Sequence, residues 1–250
     1  LQRPSDGDPG PSCVLVAGAS GGIGGAFCDL VAARFSTATI IRLARDPSKL
    51  APLPARCVDI GFDIGDEASI RDAVEQIPGS SVVDWVLVAT GWLHDRVRRP
   101  EKTYKSLDAI HLLHAYRINA IGPALLVKHL IPRLNPSRPC KLGVLSARVG
   151  SISDNRLGGW HAYRASKAAL NMLIKNIAIE LARNNGRHVI VGLQPGTTDT
   201  ALSAPFQRHV PVAQLQSPDY TARQLAEVML RLRTEDSGGL FDFLGESFAP

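Results

Sequence analysis

Apolar residues run along this chain in two alternating patterns. Short unbroken runs, CVLVAG from Cys13, then ATIIRLAR, RCVDIGFD, VVDWVLVAT, CKLGVLSA, HVIVGLQPG and a final GGLFDFL, have the length and β-branched content of buried strands. Between them apolar side chains recur at helical intervals: in GIGGAFCDLVAARF, in EASIRDAVEQI, in the long AIHLLHAYRINAIGPALLVKHLIPRL, over 163–184 and over 218–233. Unbroken apolar strands separated by helices predict a parallel sheet covered on both faces, an α/β architecture of three layers. In such sheets ligands bind beyond the carboxyl ends of the strands, so the loops after strands one, two, four, five and six are expected to line one crevice.

Local signals refine the pattern. Asp66 is the expected N-cap of the helix after the third strand, and Gly122 with Pro123 is expected to bend the long helix. Residues 1–12, LQRPSDGDPGPS, are polar and rich in helix breakers, and are expected to be a disordered tail ahead of a single domain over 13–250. The segments 92–107 and 201–217 are expected to be substrate loops, the first carrying Trp92, His94, Arg96, Arg98 and Arg99, the second Phe206, Arg208 and His209. Their arginines are expected to be simply solvated, with an anionic substrate as the alternative.

Composition narrows the classes of function. With 250 residues, 45% of them hydrophobic, the chain can bury a sizeable core. The formal net charge of +5 is modest and scattered, which predicts neither a nucleic-acid nor a membrane partner. The four cysteines lie far apart, which predicts no metal site and a reducing, cytoplasmic setting. No apolar run is long enough to span a bilayer, and the first residues do not read as a secretory signal.

The first candidate chemistry is AGASGGIGGAF, which places Gly18, Gly22 and Gly24 between a strand and its helix. The spacing suits a backbone that approaches a dinucleotide pyrophosphate at a helix N-terminus, and also a tight strand-to-helix turn. At the end of the second strand an acid would bond the ribose hydroxyls of NAD, but the sequence has Ala44 and then Arg45. A guanidinium there pairs with a 2′-phosphate, which favours NADP(H) over NAD(H); a solvent-facing loop charge is the plainer alternative. Arg42 and Lys49 are weaker candidates for that contact. Asp63, after the third strand, is the better placed acid for an adenine contact.

The second candidate is HAYRASKAAL. Tyr163 and Lys167 stand at i and i+4 on one helix face, just after the loop leaving strand five. A phenol with an ordinary pKa of about 10 is a poor proton acceptor at neutral pH, and a nearby ammonium draws that pKa down. The pair reads as an acid/base with its tuning cation, or as an ordinary exposed helix pair.

In the order of these glycines, Asp63, Asn119, Tyr163 with Lys167 and PGTTDT, the sequence resembles the short-chain dehydrogenase/reductase family from Val14 onward. It is most similar to the C-factor-like and sniffer-like carbonyl reductase branch, through NAIGPALLVKHLIPRL, SARVGSISDN and GGWHAYRASKAALNM. The resemblance implies a Rossmann-type doubly wound sheet of about seven strands, a nicotinamide cofactor and interconversion of a carbonyl and an alcohol. It further implies that Asn119 shapes a helix bend and holds a relay water, that Lys167 donates to the nicotinamide ribose, and that Pro195 and Gly196 open a cofactor-binding turn in which Thr198 and Thr200 bond the carboxamide. Ser20, Ile23, Ile64, Ala89, Thr90 and Gly91 complete the cofactor contacts that it implies.

Three positions depart from the family pattern. Val88, Ala89, Thr90 and Gly91 replace an Asn-Asn-Ala-Gly loop, and Gly21 stands where many NADP-using relatives carry a basic residue. Where the family ends strand five with two serines, of which the second polarises the substrate oxygen, this chain has Ser146 and then Ala147. Ser146 is favoured for that role and Ser151 is the alternative. If neither serves, the protein is a cofactor-binding signalling or regulatory protein with little turnover. The helix from Tyr163 is apolar on more than one face, which core burial or a second subunit explains; the resemblance favours a homodimer or homotetramer.

Overall fold

The computed structural model describes residues 10–184 and 186–250; residues 1–9 of the expected tail lie outside it, as do the side chains of His209 and Val212. Seven parallel strands form one sheet: β1 (Cys13–Ala17), β2 (Thr39–Ala44), β3 (Arg56–Gly61), β4 (Trp85–Val88), β5 (Lys141–Leu145), β6 (Val189–Gln194) and β9 (Leu240–Asp242), in the order β3-β2-β1-β4-β5-β6-β9. The order reverses between β1 and β4, which opens a crevice at their carboxyl ends. This is the expected doubly wound α/β fold. Two further strands, β7 (Thr197–Thr198) and β8 (Leu215–Gln216), form a small parallel pair that the apolar pattern did not predict.

Successive residues of a strand face opposite sides, and β1 shows what that does. Leu15 and Ala17 join a core with Ile70 of α2 (Glu67–Glu75), Leu126 and Leu130 of α4 (Gly122–Leu130) and Leu170 and Ile174 of α5 (His161–Asn184). Val14 and Val16 join the other core, with Phe27 and Val31 of α1 (Gly22–Arg34) and Leu225 and Met229 of α6 (Pro218–Arg231). Both faces are sealed, so the strands carry no alternation of polar and apolar residues. No helix among the described residues is long and apolar enough to cross a membrane.

Three expectations are corrected. Gly10 and Pro11 are buried, and Ser12 donates its N–H to Asp84 Oδ2 at 2.7 Å while its carbonyl accepts from Thr39, so residues 10–12 are not part of a loose tail. The long helix is α3 (Ala109–Tyr116) joined to α4 by a wide π-helical turn, Arg117–Ile121, so the distortion lies ahead of Gly122 and Pro123. Gly122 instead lets the helix pass close to the loop after β3, where a Cβ would stand 2.1 Å from the Ile64 carbonyl oxygen. Finally, α5 starts two residues before Tyr163, at His161.

Candidate active site

The crevice has two adjoining lobes of about 330 and 320 Å³, and Gly21, Arg45, Ala89, Thr90 and Gly91 border both. Its floor is the turn between β1 and α1. Gly18 has a positive φ of +86°, and its N–H bonds Leu43 O at 2.9 Å. A Cβ on Gly24 would lie 2.2 Å from the Gly18 carbonyl oxygen, so only glycine allows α1 to start this close to the turn. Gly21 precedes α1 without a side-chain cap, and the first turn holds no acid, which leaves the positive end of the helix open toward the crevice.

The first lobe gathers Gly18, Ser20, Arg45, Asp63, Ile64 and Thr90. Asp66 caps α2 through Ala68, as expected from the sequence, and Asp63 Oδ1 accepts from the Gly65 N–H at 2.8 Å. Thr90 Oγ1 is buried without a hydrogen-bond partner. Arg45 is exposed and borders both lobes, whereas Arg42 is excluded: it grips Asp59 with two hydrogen bonds of 2.6 Å and a third to Ala51 O. Lys49 pairs with Asp46 at 3.0 Å.

The second lobe gathers Gly22, Ile23, Ser146, Tyr163, Lys167, Pro195 and Thr200. Lys167 is buried and its Nζ donates to Leu145 O at 2.7 Å, standing 5.9 Å from the centre of the Tyr163 ring. Burial pushes the Tyr163 phenol up to about 12 and the Lys167 ammonium down to about 8. Desolvation penalises the charged form of each group. Ser146 donates its hydroxyl to Asn171 Oδ1 at 2.6 Å.

Several expected contacts move. Thr198 is buried behind the crevice, with Oγ1 against Thr221 Oγ1 at 2.9 Å and Pro195 O at 3.3 Å. Gly196 lies over Gln216, where the β7–β8 pair turns it away from both lobes. Ser151 Oγ accepts from the Asp154 N–H at 3.2 Å and borders neither lobe. Asn119 is fully buried in the π-helical turn: Oδ1 accepts from Trp92 N at 2.7 Å, and Nδ2 donates to Trp92 O at 2.8 Å and Ser166 Oγ at 3.0 Å. It ties the loop after β4 to α5.

A row of rings leading from Tyr163 was not expected from the sequence. Trp160 stands 6.3 Å from Tyr163 and 5.0 Å from Phe206, and Phe206 meets His94 at 5.4 Å. The signal was present in GGW: Gly158, Gly159 and Trp160 all have positive φ, a left-handed turn that aims the indole at the site.

A family model described as short chain dehydrogenase matches residues 12–210. The C-signal protein of Myxococcus xanthus is 34% identical over 139 residues, which cover 56% of this chain and 78% of that protein. An NADPH-bound carbonyl reductase from chicken fatty liver superposes with a TM-score of 0.80 at 23% identity, over 96% of this chain and 94% of that one. The carbonyl reductase Sniffer of D. melanogaster gives a TM-score of 0.80 at 19% identity, over 96% and 99%. At these identities the two solved structures share the fold. With the family match running from the residue before β1 through the glycine turn and the Tyr163 helix to the loop beyond β7, the chain belongs to the short-chain dehydrogenases.

Proposed function

We propose that this protein is an NADP(H)-dependent oxidoreductase that interconverts a carbonyl and an alcohol, with Tyr163 as the acid/base group. The observation that carries the reading is the placement of Tyr163 and Lys167 in one lobe with Gly22 and Thr200, beside the open end of α1.

The crevice suits a dinucleotide. A Cβ at Gly24 would clash with the Gly18 carbonyl oxygen, Gly18 holds a positive φ of +86°, and Thr90 Oγ1 lacks a partner inside the protein. A 2′-phosphate is favoured because Arg45 is exposed at the end of β2 while Asp46, the nearest acid, is taken up by Ser48 and Lys49. Ser20, Ile23, Asp63, Ile64, Ala89, Gly91 and Pro195 line the remaining walls. The nicotinamide, when bound, supplies or accepts the hydride.

The chain's own residues handle the proton. Tyr163 gives it to the carbonyl oxygen in reduction and takes it back in oxidation. Below pH about 8 Lys167 is an ammonium, and its charge stabilises the phenolate as it forms. Ser146, at the end of β5, steadies charge on the substrate oxygen, and Asn119 would hold the water that links Lys167 to solvent. Exposed Ile110 and Leu113 on α3 and Met172 and Ile179 on α5 support pairing of the long helices in a homodimer or homotetramer.

Tyr163→Phe tests the reading: turnover should fall by at least about 10²-fold while NADPH binding persists. Unchanged turnover would refute it. The Ser146 hydroxyl bond to Asn171 gives ground for a second reading, a cofactor-binding regulatory protein with weak turnover. Tight NADPH binding with no oxidation across aldehydes, ketones and quinones would favour that reading.

A further inference from the structure

We propose that Glu101 is a positioning residue for Tyr163, supplying from the loop after β4 the N-terminal cap that α5 lacks; the proposal rests on Tyr163 being the acid/base group. A helix ordinarily begins after an extended Ser, Thr, Asp or Asn, whose side-chain oxygen accepts one of the leading amides. The residue before α5 is Trp160, which has φ +49° and no side-chain oxygen to offer.

Glu101 fills both gaps. Its carbonyl accepts from Trp160 N at 2.5 Å, and its Oε2 accepts from Ala162 N at 3.2 Å. The residue is only 4% exposed, so the carboxylate is held in this position, and a helix N-terminus is where a negative group is electrostatically favoured. Oε1 makes no hydrogen bond, and His111 Nδ1 of α3 stands 3.8 Å from it. A loop held in place by packing alone has no need of a buried carboxyl group, which is costly to desolvate.

The contacts around Glu101 close a ring through three elements. The His111 ring meets the Trp92 indole edge-on at 5.1 Å, and Asn119 clamps the Trp92 backbone at both N–H and carbonyl. Asn119 also reaches Ser166, one turn further along α5. The loop over the site, the π-helical turn and the first turns of α5 are thereby linked, and Tyr163 is the residue next to the capped amide. An uncapped first turn frays, and displacement of a reacting group by about 1 Å can cost about 10²-fold in rate.

Three substitutions separate the cap from the charge. Glu101→Gln keeps an acceptor at the same reach and removes the charge; Glu101→Asp keeps the charge and shortens the reach by a methylene; Glu101→Ala removes both. Amide hydrogen exchange of residues 162–164 without cofactor, NADPH affinity, and kcat with NADPH and 4-nitrobenzaldehyde are measured for each. The expected result is exchange about tenfold faster and kcat down by about ten- to a hundredfold in Asp and Ala, with Gln within about threefold of the parent protein and NADPH affinity preserved throughout.

Full activity and protection in Asp with impairment in Gln would overturn the proposal, because charge rather than capping would then matter. Unchanged exchange in Asp and Ala would overturn it, and so would faster exchange with unaltered kcat. Loss of NADPH affinity alongside kcat would show general damage and also overturn it. A fully active Tyr163→Phe protein would instead remove the acid/base reading and leave the exchange result standing.

Discussion

The Ser146 hydroxyl meets the Asn171 side-chain carbonyl at 2.6 Å, while the Asn171 amide nitrogen is buried with no partner. In this arrangement the serine proton is held by Asn171 and is not available to a substrate oxygen. Turning the amide over puts Nδ2 against Ser146 Oγ, satisfies the orphaned donor and frees the hydroxyl proton for the second lobe. Asn171→Asp removes that option, since a carboxylate accepts and cannot donate. The expected outcome is a fall in kcat of about tenfold or more with NADPH affinity retained. Equal rates for the Asp variant and the parent protein would show that the amide is not the donor, and Ser146→Ala should lower kcat by about 10²-fold if the hydroxyl acts on the oxygen.

The glycine turn gives a steric prediction that does not depend on any ligand. A Cβ on Gly24 would sit 2.2 Å from the Gly18 carbonyl oxygen, a backbone atom that cannot swing aside, whereas a Cβ on Gly25 would sit 3.3 Å from the Ala19 oxygen. Gly24→Ala should therefore destabilise the fold by about 2 kcal/mol or more, and Gly25→Ala by less than about 1 kcal/mol. Urea unfolding of the two variants checks the order. A Gly24→Ala protein as stable as the Gly25→Ala protein would show that the turn relaxes easily.

Arg45 gives the cofactor prediction. Its guanidinium is exposed at the crevice, and Arg42, three residues earlier, is held by Asp59 and Ala51. Arg45→Ala should weaken NADPH by about tenfold or more, the cost of one charge-assisted contact, and leave NADH nearly unchanged. Isothermal titration with both nucleotides decides it, and equal losses would count against a phosphate contact.

The seven strands and the crevice were legible in the sequence because buried parallel strands leave unbroken apolar runs and glycines mark the turn. Tyr163 and Lys167 were legible because one helix carries both. What escaped depended on chain segments far apart in sequence. Thr198 sits in small polar surroundings like those of Thr200, but the β7–β8 pair and Thr221 turn its hydroxyl inward. The π-helical turn has no local composition of its own; Gly122 and Pro123 drew the expected bend forward, while the Asn119 contacts to Trp92 and Ser166 mark where the helix actually widens. Nothing local in the sequence marks Glu101, and its burial follows only from where α5 begins.

Lys167 links the site to stability. Its pKa is lowered by burial from an ordinary 10.5 to about 8, so the unfolded chain binds more protons than the folded one between those values, and folding stability contributed by this group rises with pH across that window. Below pH about 8 the folded protein bears the full cost of a buried ammonium, roughly 3 kcal/mol, which the Leu145 O contact offsets in part. Lys167→Met keeps the length of the side chain and removes the charge, so at pH 7 it should unfold at higher urea concentration, by an amount worth about 2 kcal/mol, while turnover is lost. The sign of the pH effect is the sharper test: the stability gap between variant and parent should narrow as pH rises from 8 toward 10. A gap that stays constant or widens would mean that the Lys167 charge is not what burial penalises, and that its contact with Leu145 carries a structural role that the variant has removed.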